Sequence, residues 1–126
     1  MSELRRDPVI GRWVIISSER SGRPSDFEPA EPKPRLGFCP FCEGNEDKTP
    51  PEIKAIRPPG TKPDTPGWQI RVVSNKFPAL HIEGDLNKRA RGIYDIMSGV
   101  GAHEVFIETA EHDKTISTLD PDHFRN

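Results

Sequence analysis

Both cysteines of the chain lie in one short stretch, Phe38-Cys39-Pro40-Phe41-Cys42-Glu43-Gly44-Asn45. A Cys-x-x-Cys turn aims two sulfurs at one point, which is half of what a tetrahedral zinc ion asks of its ligands. Histidine is the natural source of the remainder, and the chain offers His81, His103, His112 and His123. His112 ranks first because it follows the end of the cleanest strand pattern, where a rigid scaffold can aim an imidazole. His103 ranks second, since a histidine at a strand is more often packed or hydrogen-bonded. His123 falls in the first turn of an expected helix, a solvent-facing place, and His81, which follows the possible ligand loop, could serve substrate or nothing. The other chemistry of Cys-x-x-Cys is redox, with the thiolate stabilised at a helix N-terminus. Here Glu43, Glu46 and Asp47 follow the turn, and no amphipathic helix opens there. Acidic neighbours disfavour a thiolate, so metal binding is the better reading.

Two further groups of residues could hold an anion or a base. The basic residues up to position 23 are all arginines: Arg5, Arg6, Arg12, Arg20 and Arg23. Arginine offers a planar fork of donors that matches phosphate oxygens. Arg20-Ser21-Gly22-Arg23 follows a strand pattern directly, in a loop position that often carries ligand contacts; the plainer reading is a solvated basic turn. Asn75-Lys76, set between an apolar strand pattern and Phe77, could grip a ligand from a strand end. Asn75 could equally close a turn through its own backbone.

The elements that must position these residues are sparse. Apolar residues make up 33% of the 126 and charged residues 30%, and eleven of the fourteen prolines fall between Pro24 and Pro66. Proline removes a backbone donor and fixes φ, so this middle stretch is neither ordinary helix nor central strand. Core-forming residues concentrate at Trp13 to Ile16, Ile70 to Leu80 and Val105 to Ile107, thin for a chain of this length. Trp13-Val14-Ile15-Ile16 is β-branched and follows a Pro8/Gly11 turn, so it reads as a strand. Trp68 to Val73 alternates toward another strand, while Pro51 to Ile56 is open between helix and strand. His81 to Gly99 reads as a loop with weak structure. Ala102 to Thr109 is a strand with Val105 and Ile107 on one face and Glu104, Phe106 and Glu108 on the other. Asp120 is an expected N-cap with Pro121 at the first helical position. The sequence ends one turn later, at Asn126, so residues 1–126 are expected to be an incomplete domain.

The net charge of −2 gives no basis for non-specific nucleic-acid binding. No apolar run approaches the roughly 20 residues of a membrane span, and no secretory h-region opens the chain. Two cysteines this close suit a metal better than a structural disulfide, so a cytoplasmic location is expected.

Taken in order, Arg6-Asp7-Pro8, Arg12-Trp13-Val14, Arg20 with Arg23-Pro24, Cys39-Pro40-Phe41-Cys42 with Gly44-Asn45-Glu46, Val72-Val73-Ser74-Asn75-Lys76-Phe77-Pro78-Ala79-Leu80, and His103-Glu104-Val105 with Glu108-Thr109 and His112 closely resemble galactose-1-phosphate uridylyltransferase. Each piece alone is weak; their shared order and spacing cover nearly the whole chain. The resemblance implies a histidine-triad superfamily fold, α+β with a mostly antiparallel sheet, of which this chain would be the N-terminal part, with long Pro-rich loops and a truncated C-terminal helix. It implies uridylyl exchange between UDP-glucose and galactose-1-phosphate through a uridylyl-histidine, in a homodimer. By position it makes Cys39, Cys42 and His112 zinc ligands. It likewise assigns Arg20, Arg23, Lys48, Thr49, Pro50 and Asn75 to the nucleotide. The family's His-x-His-x-Gln segment, with the nucleophile and fourth zinc ligand, has no counterpart here, so no catalytic residue is expected and the chain alone should be inactive. Two other readings stand beside this one: an ADP-sugar phosphorylase-like nucleotidyltransferase, and a non-catalytic zinc-knuckle module that binds a protein.

Overall fold

In the computed structural model, short β-branched runs pair into two antiparallel sheets, each in its own compact unit; residues 2–17 and 37–126 are described. Arg20 and Arg23 lie outside the described residues.

The first unit takes in residues 2–17 and 78–103. It contains strands β1 (Glu3–Arg6) and β2 (Trp13–Ile16). The turn between them is tied by Asp7, whose side chain accepts from the Val9 and Ile10 amides at 2.8 and 3.3 Å. Those two bonds, Val9 first, hold the Asp7 carboxyl below its usual range. Gly11, at φ +75°, completes the reversal, a conformation that costs a residue with a Cβ. The strand read from Trp13 to Ile16 is present, but it is not core. It is a sheet edge paired only with β1, and Trp13, Ile15 and Ile16 are exposed.

The stretch from His81 to Gly99 departs from its reading as loop. It holds a hairpin of two further strands, Arg89–Arg91 and Tyr94–Ser98. Counted in chain order with β3 (Glu52–Ile56) and β4 (Ile70–Ser74) of the second unit, these are β5 and β6, and the sheet order is β2-β1-β6-β5. Gly92 and Ile93 form the two-residue connection, with positive φ at Gly92 (+61°) and not at Ile93. That sign pattern belongs to a type II′ turn, whose twist suits a hairpin. β5 is three exposed residues long, two arginines flanking Ala90, which is why no period is visible in it. Ile96 is the buried contact of β6.

The second unit takes in residues 37–77 and 104–126. Its sheet, of order β3-β4-β7, places β4 centrally between β3 and β7 (Glu104–Ile107). The ambiguous Pro51 to Ile56 stretch is therefore a strand, carrying a bulge between Glu52 and Lys54. Trp68, Val73 and Ile107 form the core, with Ala55, Val105 and Ala110 packed against it. Phe106 lies on the opposite face of β7 and is exposed, as the alternation requires. The chain closes with one helical turn, α1 (Pro121–Phe124), capped by the Asp120 side chain accepting from the Asp122 amide and led by Pro121. Mostly antiparallel sheets with few helical residues describe both units.

A buried ionic network stiffens this second sheet. Arg71, the second residue of β4, is 1% exposed, the least accessible charged side chain among the described residues. Its guanidinium donates to Glu52 Oε2 (3.2 Å), Asp64 Oδ1 (2.5 Å) and Thr49 Oγ1 (2.7 Å). Glu52 is also paired with Arg57. A guanidinium taken this far from water persists only because its donors are met by charged and polar acceptors.

Candidate metal centre

The Cys39–Cys42 turn is built by local hydrogen bonding. The Cys42 amide donates to the Cys39 carbonyl (3.3 Å), the Asn45 amide to that of Cys42 (3.1 Å) and the Lys48 amide to that of Asn45 (2.9 Å). The Asn45 side chain adds a bond from Nδ2 to the Cys39 carbonyl at 2.8 Å. Gly44, at φ +92°, supplies the left-handed residue that lets the chain leave the turn. A short 3-10 helix, Glu46–Lys48, follows.

His112 reaches the turn from the segment after β7. Its Nδ1 lies 3.1 Å from Cys42 Sγ, and one ligand atom from each of Cys39, Cys42 and His112 falls within 4.8 Å of the others. A tetrahedral ion with ordinary zinc bond lengths separates sulfur from nitrogen by about 3.5 Å and two sulfurs by about 3.8 Å. The three side chains therefore fit a metal ion with little movement. Both cysteines are free thiols and half-buried, and His112 is exposed. Burial pushes the Cys42 thiol up, with further contributions from Cys39 and Asp113, so a cation is what would bring it to the thiolate. Among the described residues this is the one group with metal-ligand geometry, and it could hold a metal ion.

Of the two histidines ranked from sequence, the structure brings His112 to the cysteines and gives His103 a different task. His103 belongs to the first unit, where its Nδ1 accepts from the Ala79 amide at 2.9 Å. His123 is not solvent-facing: it is half-buried, and its Nε2 donates to the Glu108 carbonyl at 2.8 Å, tying α1 to the end of β7. That bond closes the loop carrying His112. His81 is exposed and pairs through its backbone with Val100.

The residues matched to a nucleotide are less uniform. Lys48 is exposed beside Asp47. Thr49 is already engaged, donating to the Glu46 carbonyl (3.1 Å) while accepting from Arg71. Pro50 follows, half-buried, and leads into β3. Asn75 closes a turn, its Oδ1 accepting from the Phe77 amide at 2.8 Å.

Sequence reasoning missed what lies behind the cysteines. Glu46, 5% exposed, was visible only as an acidic neighbour. Both its oxygens accept from the Gly44 amide at 3.1 Å, and Oε1 also takes the Trp68 indole N–H at 2.8 Å. Burial alone would raise this carboxyl, but the Trp68 and Gly44 bonds and the Arg71 charge outweigh it and bring the net shift down. The group stays ionised. Glu43 reaches the same region, accepting from the Gly67 amide at 2.7 Å.

No protein-family model matches the chain. Over 125 residues it is 39% identical to an ADP-glucose phosphorylase from Arabidopsis thaliana, covering 94% of this chain and 34% of that protein. A crystal structure of an ADP-glucose phosphorylase from Arabidopsis thaliana with bound ADP-glucose matches with a TM-score of 0.51 and 36% identity, over 98% of this chain and 33% of that one. A uridylyltransferase structure matches with a TM-score of 0.56 at 24% identity, over 96% of this chain and 30% of that one, a likeness of fold alone. The chain thus spans about a third of the length of the relatives it matches.

Proposed function

We propose that the chain belongs to the galactose-1-phosphate uridylyltransferase family of the histidine-triad superfamily, a reading supported by its 39% identity to an ADP-glucose phosphorylase, and that it forms the zinc-holding and nucleotide-holding part of an enzyme that moves a nucleotidyl group between a sugar nucleotide and a phosphate-bearing acceptor. The observation that carries this reading is the convergence of Cys39, Cys42 and His112 in a chain 39% identical to an ADP-glucose phosphorylase. Two thiolates and an imidazole suit zinc, whose part here is to fasten the turn to the His112 loop. The group displacement at phosphorus calls for an imidazole nucleophile. No two histidines of this sequence stand one residue apart, so a His-x-His-x-Gln segment would come from outside these residues. The chain's own contribution is to bind and orient, within an α+β domain that these residues only begin.

Arg20 and Arg23 would hold phosphate oxygens, and Lys48, Thr49, Pro50 and Asn75 would line the nucleotide. Since the Thr49 hydroxyl is already bonded on both sides, its part would be to fix the backbone of that loop. The free thiols suit a reducing, cytoplasmic setting, and a homodimer is the assembly that goes with the family. Of the two sugar nucleotides, the 39% relative favours ADP-glucose. UDP-glucose with galactose-1-phosphate is the second reading, favoured by the ordered motifs shared with the uridylyltransferases.

Calorimetric titration of ADP-glucose and UDP-glucose into zinc-loaded protein tests this. Saturable binding of ADP-glucose, weakened in Arg23→Ala, is expected. Tighter binding of UDP-glucose would turn the assignment to uridylyl transfer. Binding of neither, with zinc retained, would overturn the nucleotide reading in favour of a zinc-knuckle module.

A further inference from the structure

We propose that the Glu46 carboxylate and the Trp68 indole act as a positioning pair for the Cys39–Cys42–His112 centre, an inference that rests on the metal reading above. The pair is nearly sealed from water, with Glu46 5% and Trp68 3% exposed. On one side the carboxylate grips the Gly44 amide with both oxygens at 3.1 Å, two residues beyond Cys42. On the other it takes the Trp68 N–H at 2.8 Å. The indole ring in turn belongs to the core formed with Val73 and Ile107, against which Ala110 packs. Ile107 ends β7, and Ala110 lies two residues before His112.

Trp68 is therefore the point where both arms of the centre meet: through its N–H to the cysteine turn, and through its core to the histidine segment. Arg71 anchors the Glu46 backbone from behind, donating to its carbonyl at 3.4 Å and to the Thr49 hydroxyl at 2.7 Å. Neither Glu46 nor Trp68 belongs to the ligand group. Their effect is to fix where the sulfurs stand before a metal arrives. Groups that orient metal ligands in this way commonly change metal affinity by 10- to 100-fold when removed.

The test compares Glu46→Gln and Trp68→Phe with Val73→Ala, a core truncation that leaves the carboxylate–indole bond intact. Zinc affinity is read by competition with a chromophoric chelator, the ligand field from the absorption of the cobalt(II)-loaded protein, and fold stability from unfolding of the metal-free protein. Both Glu46→Gln and Trp68→Phe should lose about 10-fold or more in zinc affinity and alter the cobalt spectrum. Val73→Ala should lower stability while keeping affinity and spectrum close to wild type. Wild-type affinity and spectrum in both positioning variants would overturn the proposal, as would an equal affinity loss in Val73→Ala. Should Glu46→Gln fail to fold, Trp68→Phe decides, since it keeps an aromatic ring in the core while removing the donor, and Val73→Ala controls for the core volume lost with the second ring. A wild-type chain that takes up neither zinc nor cobalt overturns the metal reading itself, and this proposal with it.

Discussion

The two sheets of this chain hold their charges in opposite ways. In the sheet of β2, β1, β6 and β5, ion pairs sit at the surface: Arg5 with Glu3, Arg89 with Glu3, and Arg6 with Asp95. In the sheet of β3, β4 and β7, Arg71 and Glu52 form a pair at 1% and 5% side-chain exposure, and Glu46 is buried against Trp68. Surface pairs contribute about 0–1 kcal/mol each. A buried pair is a poor bargain on formation but costs roughly 3–5 kcal/mol to break by deleting one partner. The second sheet tolerates this because the same groups hold the loops that carry Thr49, Gly44 and Cys42. Buried polar chemistry follows the candidate site, and the sheet without the metal group has none of comparable extent among the described residues.

Substitutions in matched places would break or sharpen that contrast. The largest expected effect is on metal content. Cys39→Ser and Cys42→Ser should each abolish stoichiometric zinc uptake, whereas His103→Ala, in the first unit, should leave it nearly unchanged by plasma mass spectrometry. Equal loss in His103→Ala would mean that the first sheet, too, serves the metal.

Next in size is Arg71→Ala, expected to destabilise the fold by about 3–5 kcal/mol in urea unfolding, because Glu52 is left buried and incompletely paired. A loss below about 1 kcal/mol would place Arg71 with the surface pairs. Smaller again is a pH effect. Glu46 has its folded pKa lowered from 4.5, so its contribution is present above that value and is lost as pH falls through the folded one. In metal-free protein the stability gap between wild type and Glu46→Gln should therefore narrow as pH drops below about 4.5. A gap that widens on acidification would reverse the assigned direction. The smallest effect belongs to Asp95→Ala, which removes a 3.7 Å pair that is more than half exposed on both sides. It should stay within about 0.5 kcal/mol of wild type.

What could be read from the sequence follows the range over which each feature is determined. The Cys39–Cys42 turn, the Asp120 cap and the alternation of β7 are local, and each is present as read. The choice of His112 needed only its place just beyond a strand. Trp13 to Ile16 misled because strand propensity does not say whether a strand is central, and here it is an edge with exposed side chains. The β5–β6 hairpin escaped because Arg89–Arg91 is too short and polar to carry a period; its one local signal was Gly92 in a two-residue turn. Arg71 was least legible. An arginine in a strand reads as surface, and nothing nearby reveals that Glu52 and Asp64, 19 and 7 residues away, converge on it. The same holds for Glu46 and Trp68, 22 residues apart.

The proposed closure of Cys39, Cys42 and His112 on one zinc ion can be read from the metal's own shell, by X-ray absorption at the zinc edge of the loaded protein. Two sulfur scatterers at about 2.3 Å together with nitrogen at about 2.0–2.1 Å are expected. In His112→Ala both sulfurs should remain and the imidazole signature should disappear. A zinc shell made only of nitrogen and oxygen, or one unchanged in His112→Ala, would contradict that closure.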